Sequence, residues 1–442
     1  MNILLLALAA TLSNFVQSNP QVIPLNNYNS DQISTILTVE AGGKLYLASN
    51  DDPTLLQKIK ISTGSVTTNL DQLLDIVYMT IADKLTIQSG NDAATTALLT
   101  GYLYVTTASQ ANDNSFLVTV VNETTTLIRE AGISTTVVLN VQTAASTAFD
   151  NPQKTTAVTK IQQSANTNLN FHYGVPDNNW GEVTINQFFE NPQRITNYDS
   201  NGTEIDPTIV LFTDIQPLQI NLPYWYITSN GPYTMVLDNT YMNIHTQNVQ
   251  STTSTGLIVI TDAFQPQTVT FTVDPTKQGN TGLLLSTFLE YPLNLTLTGP
   301  NGDSKQTYDS TTIMQHGQFV SDFAATKLAI TSAASKPGVF YCQYFVFSLH
   351  RHAANNSPNI NFCSLYHPTN NPKYEYNNCC HYNQVLSISQ SYQIVSYVLN
   401  VHSVQTIKCF NFKFYMRAGV LIRLIKPRVE TSNENRYGMQ TY

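Results

Sequence analysis

The chain has 442 residues, of which 42% are apolar and only 11% charged, less than half the roughly 25% of an ordinary globular chain. Several cores of about 100 residues each can be buried, so a disordered polymer is excluded, and Thr, Ser, Asn and Gln must supply the polar surface. Net charge is −8, but residues 1–350 hold 12 basic and 26 acidic side chains while residues 351–442 hold nine basic and three acidic, so the body repels phosphate and nucleic acid is not expected as a partner.

Met1–Asn2 leads into Ile3-Leu4-Leu5-Leu6-Ala7-Leu8-Ala9-Ala10, an apolar run with the length of a signal-peptide core and too short to span a bilayer. Val16-Gln17-Ser18 predicts cleavage after Ser18 and a secreted, extracellular product. Short strands follow, rich in β-branched and aromatic residues and often alternating with period two. Examples are Ile36–Val39, Lys44–Leu47, Phe116–Val120, Thr135–Val141 and Thr268–Val273. Turn signals at Gly42-Gly43, Asn201-Gly202, Asn230-Gly231-Pro232 and Asn301-Gly302 separate them. Short helical pieces are expected near Pro53–Lys60 or Asn69–Ile81. No later segment is expected to span a membrane, because Ile394–Ile425 is broken by His402, Lys408, Lys413, Arg417 and Arg423.

Glycan acceptor triplets begin at Asn122, Asn201, Asn294 and Asn355. In Leu293-Asn294-Leu295-Thr296-Leu297 the leucines share one face of a strand and leave Asn294 and Thr296 to solvent. Asn122, Asn201 and Asn294 are the predicted glycosylation sites.

A strand, a small-residue loop, a glycine and a second strand recur three times. Leu85–Ser89 runs to Gly101–Thr106, Met242–Thr246 to Gly256–Thr261, and Leu328–Ser332 to Gly338–Tyr344. One such hairpin cannot bury its apolar face alone, so each should close a larger assembly. The expected organisation is a signal peptide (1–18), a first β-sandwich (19–110), a middle β domain (111–264), a second β-sandwich (265–349) and an irregular tail (350–442).

The last copy, Leu328-x-Ile330-Thr331-Ser332 followed by Gly338-x-Phe340-Tyr341-x-Gln343-Tyr344, resembles the closing strands of CUB and nematode CUB-like domains. The resemblance is best at 265–349, weaker at 19–110 and faint between. It implies a secreted antiparallel β-sandwich of jelly-roll type that binds proteins or glycans, and in the nematode group a link to intestinal or immune responses. Two departures stand out. Residues 1–341 contain no cysteine, and Ser332 is followed by Ala333 where calcium-binding members carry Asp. Asp51, Asp52 and Asp92 read as solvated loop acids before they read as calcium ligands. No metal or cofactor is expected.

The tail differs in charge sign and in holding Cys363, Cys379, Cys380 and Cys409, all cysteines but Cys342. The spacing of Cys363-x3-His367 and Cys379-Cys380-His381 fits no zinc module. Its Asn, Tyr, Phe, Lys and Ile content is that of translated A/T-rich non-coding DNA, which points to a mispredicted gene end. The alternative is a basic segment that docks on acidic partners.

No nucleophile elbow, zinc helix or phosphate loop is present. His172, His245 and His316 stand alone and read as structural. Glu182, Glu190 and Asp206 are carboxylates that a glycosidase would pair. Trp180 and the run Tyr224-Trp225-Tyr226 are aromatic; the run reads as a buried strand or as a ligand platform stacking on sugar rings. The expected fold is all-β, with tandem CUB-like sandwiches and an irregular tail. The expected function is non-catalytic extracellular recognition of a protein or glycan. A secreted carbohydrate hydrolase and a structural coat protein are the alternatives.

Overall fold

The computed structural model describes residues 19–348 except 32–34, 131, 144–153, 178–185, 199–203, 243, 245, 250–251, 262–265, 273–278, 313 and 322. These residues all belong to one unit of the chain, Met1–Tyr366. The signal-peptide and tail expectations lie outside the described residues.

The described residues are all-β, with short helices only. The first block holds β1 (Gln21–Pro24), β2 (Thr35–Leu37), β3 (Lys44–Ala48), β4 (Ile59–Thr63), β5 (Val66–Asn69), β6 (Met79–Thr80), β7 (Leu85–Ser89) and β8 (Tyr102–Val105). They form two antiparallel sheets, ordered β1-β8-β3-β6 and β2-β7-β4-β5. Period-two alternation sets which side chains go inward: Ile59, Ile61, Leu85 and Ile87 are buried while Lys60 and Gln88 face water. Leu45, Leu47, Leu103 and Val105 meet them from the other sheet in one core. Helices α1 (Pro53–Leu56), α2 (Ala93–Thr96) and α3 (Ala108–Asn112) fill the connections, and Leu70–Leu74 makes a 3₁₀ turn. The first helix and that turn lie where the sequence predicts helical pieces.

The second block holds β9 (Phe116–Val121), β10 (Thr125–Arg129), β11 (Ser134–Asn140), β12 (Thr156–Gln163), β13 (Leu169–Tyr173), β14 (Gln187–Asn191), β15 (Gln193–Tyr198), β16 (Glu204–Val210), β17 (Asp214–Ile215), β18 (Leu218–Ile220), β19 (Tyr224–Ser229) and β20 (Tyr233–Asp238). Its sheets are β10-β20-β12-β18 and β14-β13-β19-β11-β9. The third block holds β21 (Thr246–Val249), β22 (Ser254–Ile260), β23 (Gln267–Phe271), β24 (Gly279–Leu289), β25 (Leu293–Gly299), β26 (Gly302–Tyr308), β27 (Met314–Val320), β28 (Lys327–Ser332) and β29 (Gly338–Ser348). Its sheets are β17-β22-β29-β24-β27 and β21-β23-β28-β25-β26.

One plan repeats. Set aside β9, β21, β17 and the β15–β16 hairpin, and each block has eight strands. In each, the first, eighth, third and sixth form one sheet, and the second, seventh, fourth and fifth the other. The additions have a rule of their own: β9 and β21 each precede a block's first strand and pair in parallel with its second. β17, which belongs to the second block in sequence, pairs in parallel with β22 of the third.

The first and last copies of the sequence echo occupy equivalent places, β7 to β8 and β28 to β29. The middle copy runs into β21 and β22, whereas the equivalent pair in the second block is β19 to β20. The pattern therefore marks a corner where the chain crosses between facing sheets. Such a corner needs a small-residue turn wherever it occurs, so the signal is not tied to one place in the repeat.

The blocks stack. β11 and β22 are buried along their whole length because their sheets are covered on both faces. Tyr46, Ala48, Tyr102 and Tyr104 of the first block pack on Val118, Val137, Leu139, Val141 and Tyr226 of the second. Leu257, Val259 and Tyr341 of the third join the core of the second, and Leu284, Phe345 and Phe347 pack on Ile195 and Phe212. A Cβ at Gly282 would overlap the Phe345 ring on the neighbouring strand, so glycine is required there by close approach.

Candidate functional site: a polar seam between the second and third blocks

The acids singled out in the first block are structural. The Asp51 carboxylate accepts from Ser49 Oγ (2.7 Å), Thr100 N (2.9 Å), Thr100 Oγ1 (2.8 Å) and Gly101 N (2.7 Å), tying two loops together. Asp52 caps α1 through Thr54 N and Asp92 caps α2 through Thr95 N. Those bonds hold both carboxyls below the ordinary value. Among the described residues, no group of three His, Cys, Asp or Glu is placed to hold a metal ion.

Trp225 and Tyr226 are buried and Tyr224 is half-buried, which counts against the ligand-platform reading. Trp225 has no exposed surface and packs against Phe171 at 5.1 Å in the core of the second block. Tyr226 is 1% exposed on the opposite face of β19, among the residues that meet the first block. Tyr224 lies edge-on to Tyr102 at 5.8 Å. Alternation divides the run between two apolar environments, with Tyr224 half-buried at the start of β19.

Of the predicted acceptors, Asn122 is exposed between β9 and β10. Asn294 is exposed on β25, and its Oδ1 accepts from Thr307 Oγ1 at 2.7 Å. Cys342 is buried and free, and burial raises its thiol above the ordinary value. Asp206 lies on β16. Asn201, Asn355, Trp180, Glu182, His245, Ser18 and the remaining cysteines lie outside the described residues.

What the fold does bring together is His172, Glu190 and His316. His172, on β13, is 3% exposed and stacks on Tyr226 with centroids 4.6 Å apart. Its Nδ1 meets Asn186 Oδ1 at 3.2 Å and its Nε2 meets Thr228 Oγ1 at 2.9 Å, which suits a neutral ring donating from one nitrogen and accepting at the other. Burial, with the nearby His316 adding to it against a hydrogen bond to Asn186 Oδ1, pushes its pKa down to about 4.

β14, which carries Glu190, is the edge strand of its sheet, and a side chain of the third block completes its hydrogen bonding. The Glu190 amide donates to Gln343 Oε1 and Gln343 Nε2 donates to the Glu190 carbonyl, both at 2.9 Å. Gln343 also donates to Thr255 Oγ1 at 3.0 Å. Farther along, Thr196 N donates to Gln318 Oε1 (3.2 Å) and Gln318 Nε2 to the Arg194 carbonyl (2.9 Å). The Glu190 carboxylate accepts from Gln187 Nε2 at 2.6 Å and faces His316 Nε2 at 3.5 Å, with side chains 16% and 28% exposed respectively.

His316 reaches that position through a bulge. The register of β27 against β24 slips between Leu285 and Thr287, His316 adopts a left-handed φ of 53°, and its amide donates to Ser286 Oγ at 3.0 Å. A bulge that re-aims one side chain at a non-glycine positive φ holds a strained residue for a reason found in the seam. Its Nδ1 is buried with no partner. Beside the polar groups, Tyr341 of β29 stacks on Tyr173 (5.4 Å) and Phe188 (5.1 Å). Each histidine and Glu190 stood out in the sequence singly. Their convergence rests on contacts between residues more than a hundred positions apart, which no local pattern signals.

The profile of a family described as transmembrane glycoprotein matches residues 40–402. No curated protein matches the chain. A chain of the Sulfolobus Turreted Icosahedral Virus structure is 7% identical over 76% of this chain and 80% of its own, with a TM-score of 0.14. A chain from a structure titled for the triple jelly roll fold and turret assembly in an archaeal virus is 9% identical over 74% and 83%, with a TM-score of 0.13. At those scores neither likeness bears on fold or function.

Proposed function

Because the chain belongs to the transmembrane glycoprotein family, we propose that it is a non-catalytic extracellular glycoprotein whose tandem jelly-roll sandwiches, CUB-like at 265–349, bind a protein ligand. Two facing sheets and eight strands per block support the jelly-roll reading, an arrangement shared by capsid and lectin domains. No described helix is long and apolar enough to cross a membrane. Entry to the secretory route would come from Met1–Ser18, and glycans would sit at Asn122, Asn201 and Asn294.

One observation carries recognition over catalysis. In the seam, His172 has both ring nitrogens engaged. Meanwhile Leu74, Ile76, Val77 and Tyr78, four of five consecutive residues, are 41–73% exposed. Contiguous exposed apolar residues mark interaction sites. Aliphatic Ile76 and Val77 offer contact area but no hydrogen bonds, and Lys44 Nζ already covers the Tyr78 ring at 4.5 Å. That chemistry suits a protein surface better than a sugar.

The test is binding of the full-length secreted protein to microbial and animal cells and to a glycan array, with and without EDTA. Saturable, EDTA-indifferent binding, lost when the cells are shaved with trypsin and weakened at least tenfold by Val77→Asp, supports a protein ligand. Glycan-array binding that persists in Val77→Asp overturns it in favour of a lectin. Absence of saturable binding anywhere overturns recognition.

A further inference from the structure

We propose that the seam between the second and third blocks is a proton-driven latch, in which protonation of His316 against Glu190 tightens the contact of β27 and β24 with β14. The geometry is that of a charge-assisted pair waiting for its charge. Glu190 Oε2 and His316 Nε2 are 3.5 Å apart and largely shielded from water, and the Glu190 backbone is already bound across the seam by Gln343. A proton on His316 turns the contact of its ring with the Glu190 carboxylate into an ion pair, and histidine is the side chain whose charge can change in the physiological range.

The surroundings leave Glu190 as the partner that decides the outcome. Among the described residues, the titratable and charged groups on the packed elements include Glu190 on β14, His172 and Tyr173 on β13, Arg194 on β15, Tyr226 on β19 and Tyr341 on β29, with Asp177 interacting with Tyr226. Burial keeps His172 neutral down to about pH 4 and Tyr226 neutral up to about pH 12. Neither competes for the Glu190 charge in the working range. The unpartnered Nδ1 of His316 weighs against a charged ring, so removing the carboxylate should leave the ring neutral and the latch open. All the hydrogen-bond partners of His172 belong to the second block, so parting the seam does not itself expose that ring.

Hydrogen–deuterium exchange on the full chain reads the latch directly, because the Glu190 and Thr196 amides are bonded across the seam to Gln343 and Gln318. Peptides covering 187–198 should gain roughly three- to tenfold protection between pH 7.5 and 5.5 after correction for intrinsic exchange. Peptides covering β4 and β7 of the first block serve as reference and should not change. His316→Gln should flatten the rise. Glu190→Gln, isosteric and able to fold where the bulge variant fails, should flatten it too. A pH profile at 187–198 that parallels β4 and β7, or a rise that survives Glu190→Gln, overturns the latch.

Discussion

The two seams of this chain join copies of the same eight-stranded plan through apolar packing in both, but with different polar chemistry. Between the first and second blocks the contact is aromatic and aliphatic, with Tyr46, Tyr102 and Tyr104 packed on Val137, Leu139 and Tyr226. Tyr102 Oη donates to the carbonyls of Asn140, at 3.1 Å, and Pro223, and the buried Tyr104 Oη has no partner. Between the second and third blocks, buried amides and a histidine–carboxylate contact supply the polar bridges. A repeated fold therefore does not repeat its joints. Those contacts of the first seam include no histidine, whereas the second seam brings His316 against Glu190.

The sharpest way to break this contrast is in the first seam. Tyr102→Ala removes a ring that is 2% exposed and should cost about 3 to 5 kcal/mol, equally at pH 8 and pH 5, as measured by denaturant unfolding. A loss that varied with pH would erase the distinction between the seams. The next effect belongs to His172. Its pKa is depressed in the folded protein to about 4, so between pH 6.5 and 4 the unfolded chain binds more protons. The associated stability is present above pH 6.5 and is lost as pH falls to 4, at most about 3 kcal/mol in all. His172→Asn should flatten that part of the pH–stability curve.

Gln343→Ala should cost roughly 1 to 3 kcal/mol, because it strands buried backbone groups of Glu190, and should speed exchange at 187–198 before any global unfolding. A variant whose exchange rises everywhere together would show that the bridge is not local to the seam. Asp92→Ala, which removes a helix cap, should cost about 1 kcal/mol, and EDTA should leave the thermal midpoint of the parent unchanged. A midpoint lowered by EDTA would reinstate a bound cation. The smallest effect is expected at Asn122→Gln: loss of one glycan by mass, with stability unmoved.

The strands were legible where one face is wet. In Leu85–Ser89 and Leu293–Leu297 the alternation of branched and polar residues states both the element and its inner face. The all-β class follows from many such segments. Legibility failed where both faces are dry. Tyr224-Trp225-Tyr226 reads equally as strand or platform, because two buried environments on opposite sides of a sheet erase the polar half of the pattern. The exposure of Asn294 was legible for the opposite reason, since its strand lies with one face open to water.

Sequence by itself determined the class of structure and the inward faces of the half-exposed strands, because these depend on residues within a few positions of one another. Only the tertiary structure decided the shared eight-stranded order, the burial of the aromatic run and the meeting of His172, Glu190 and His316. Those depend on which sheet lies against which, and that is set by the summed packing of distant strands.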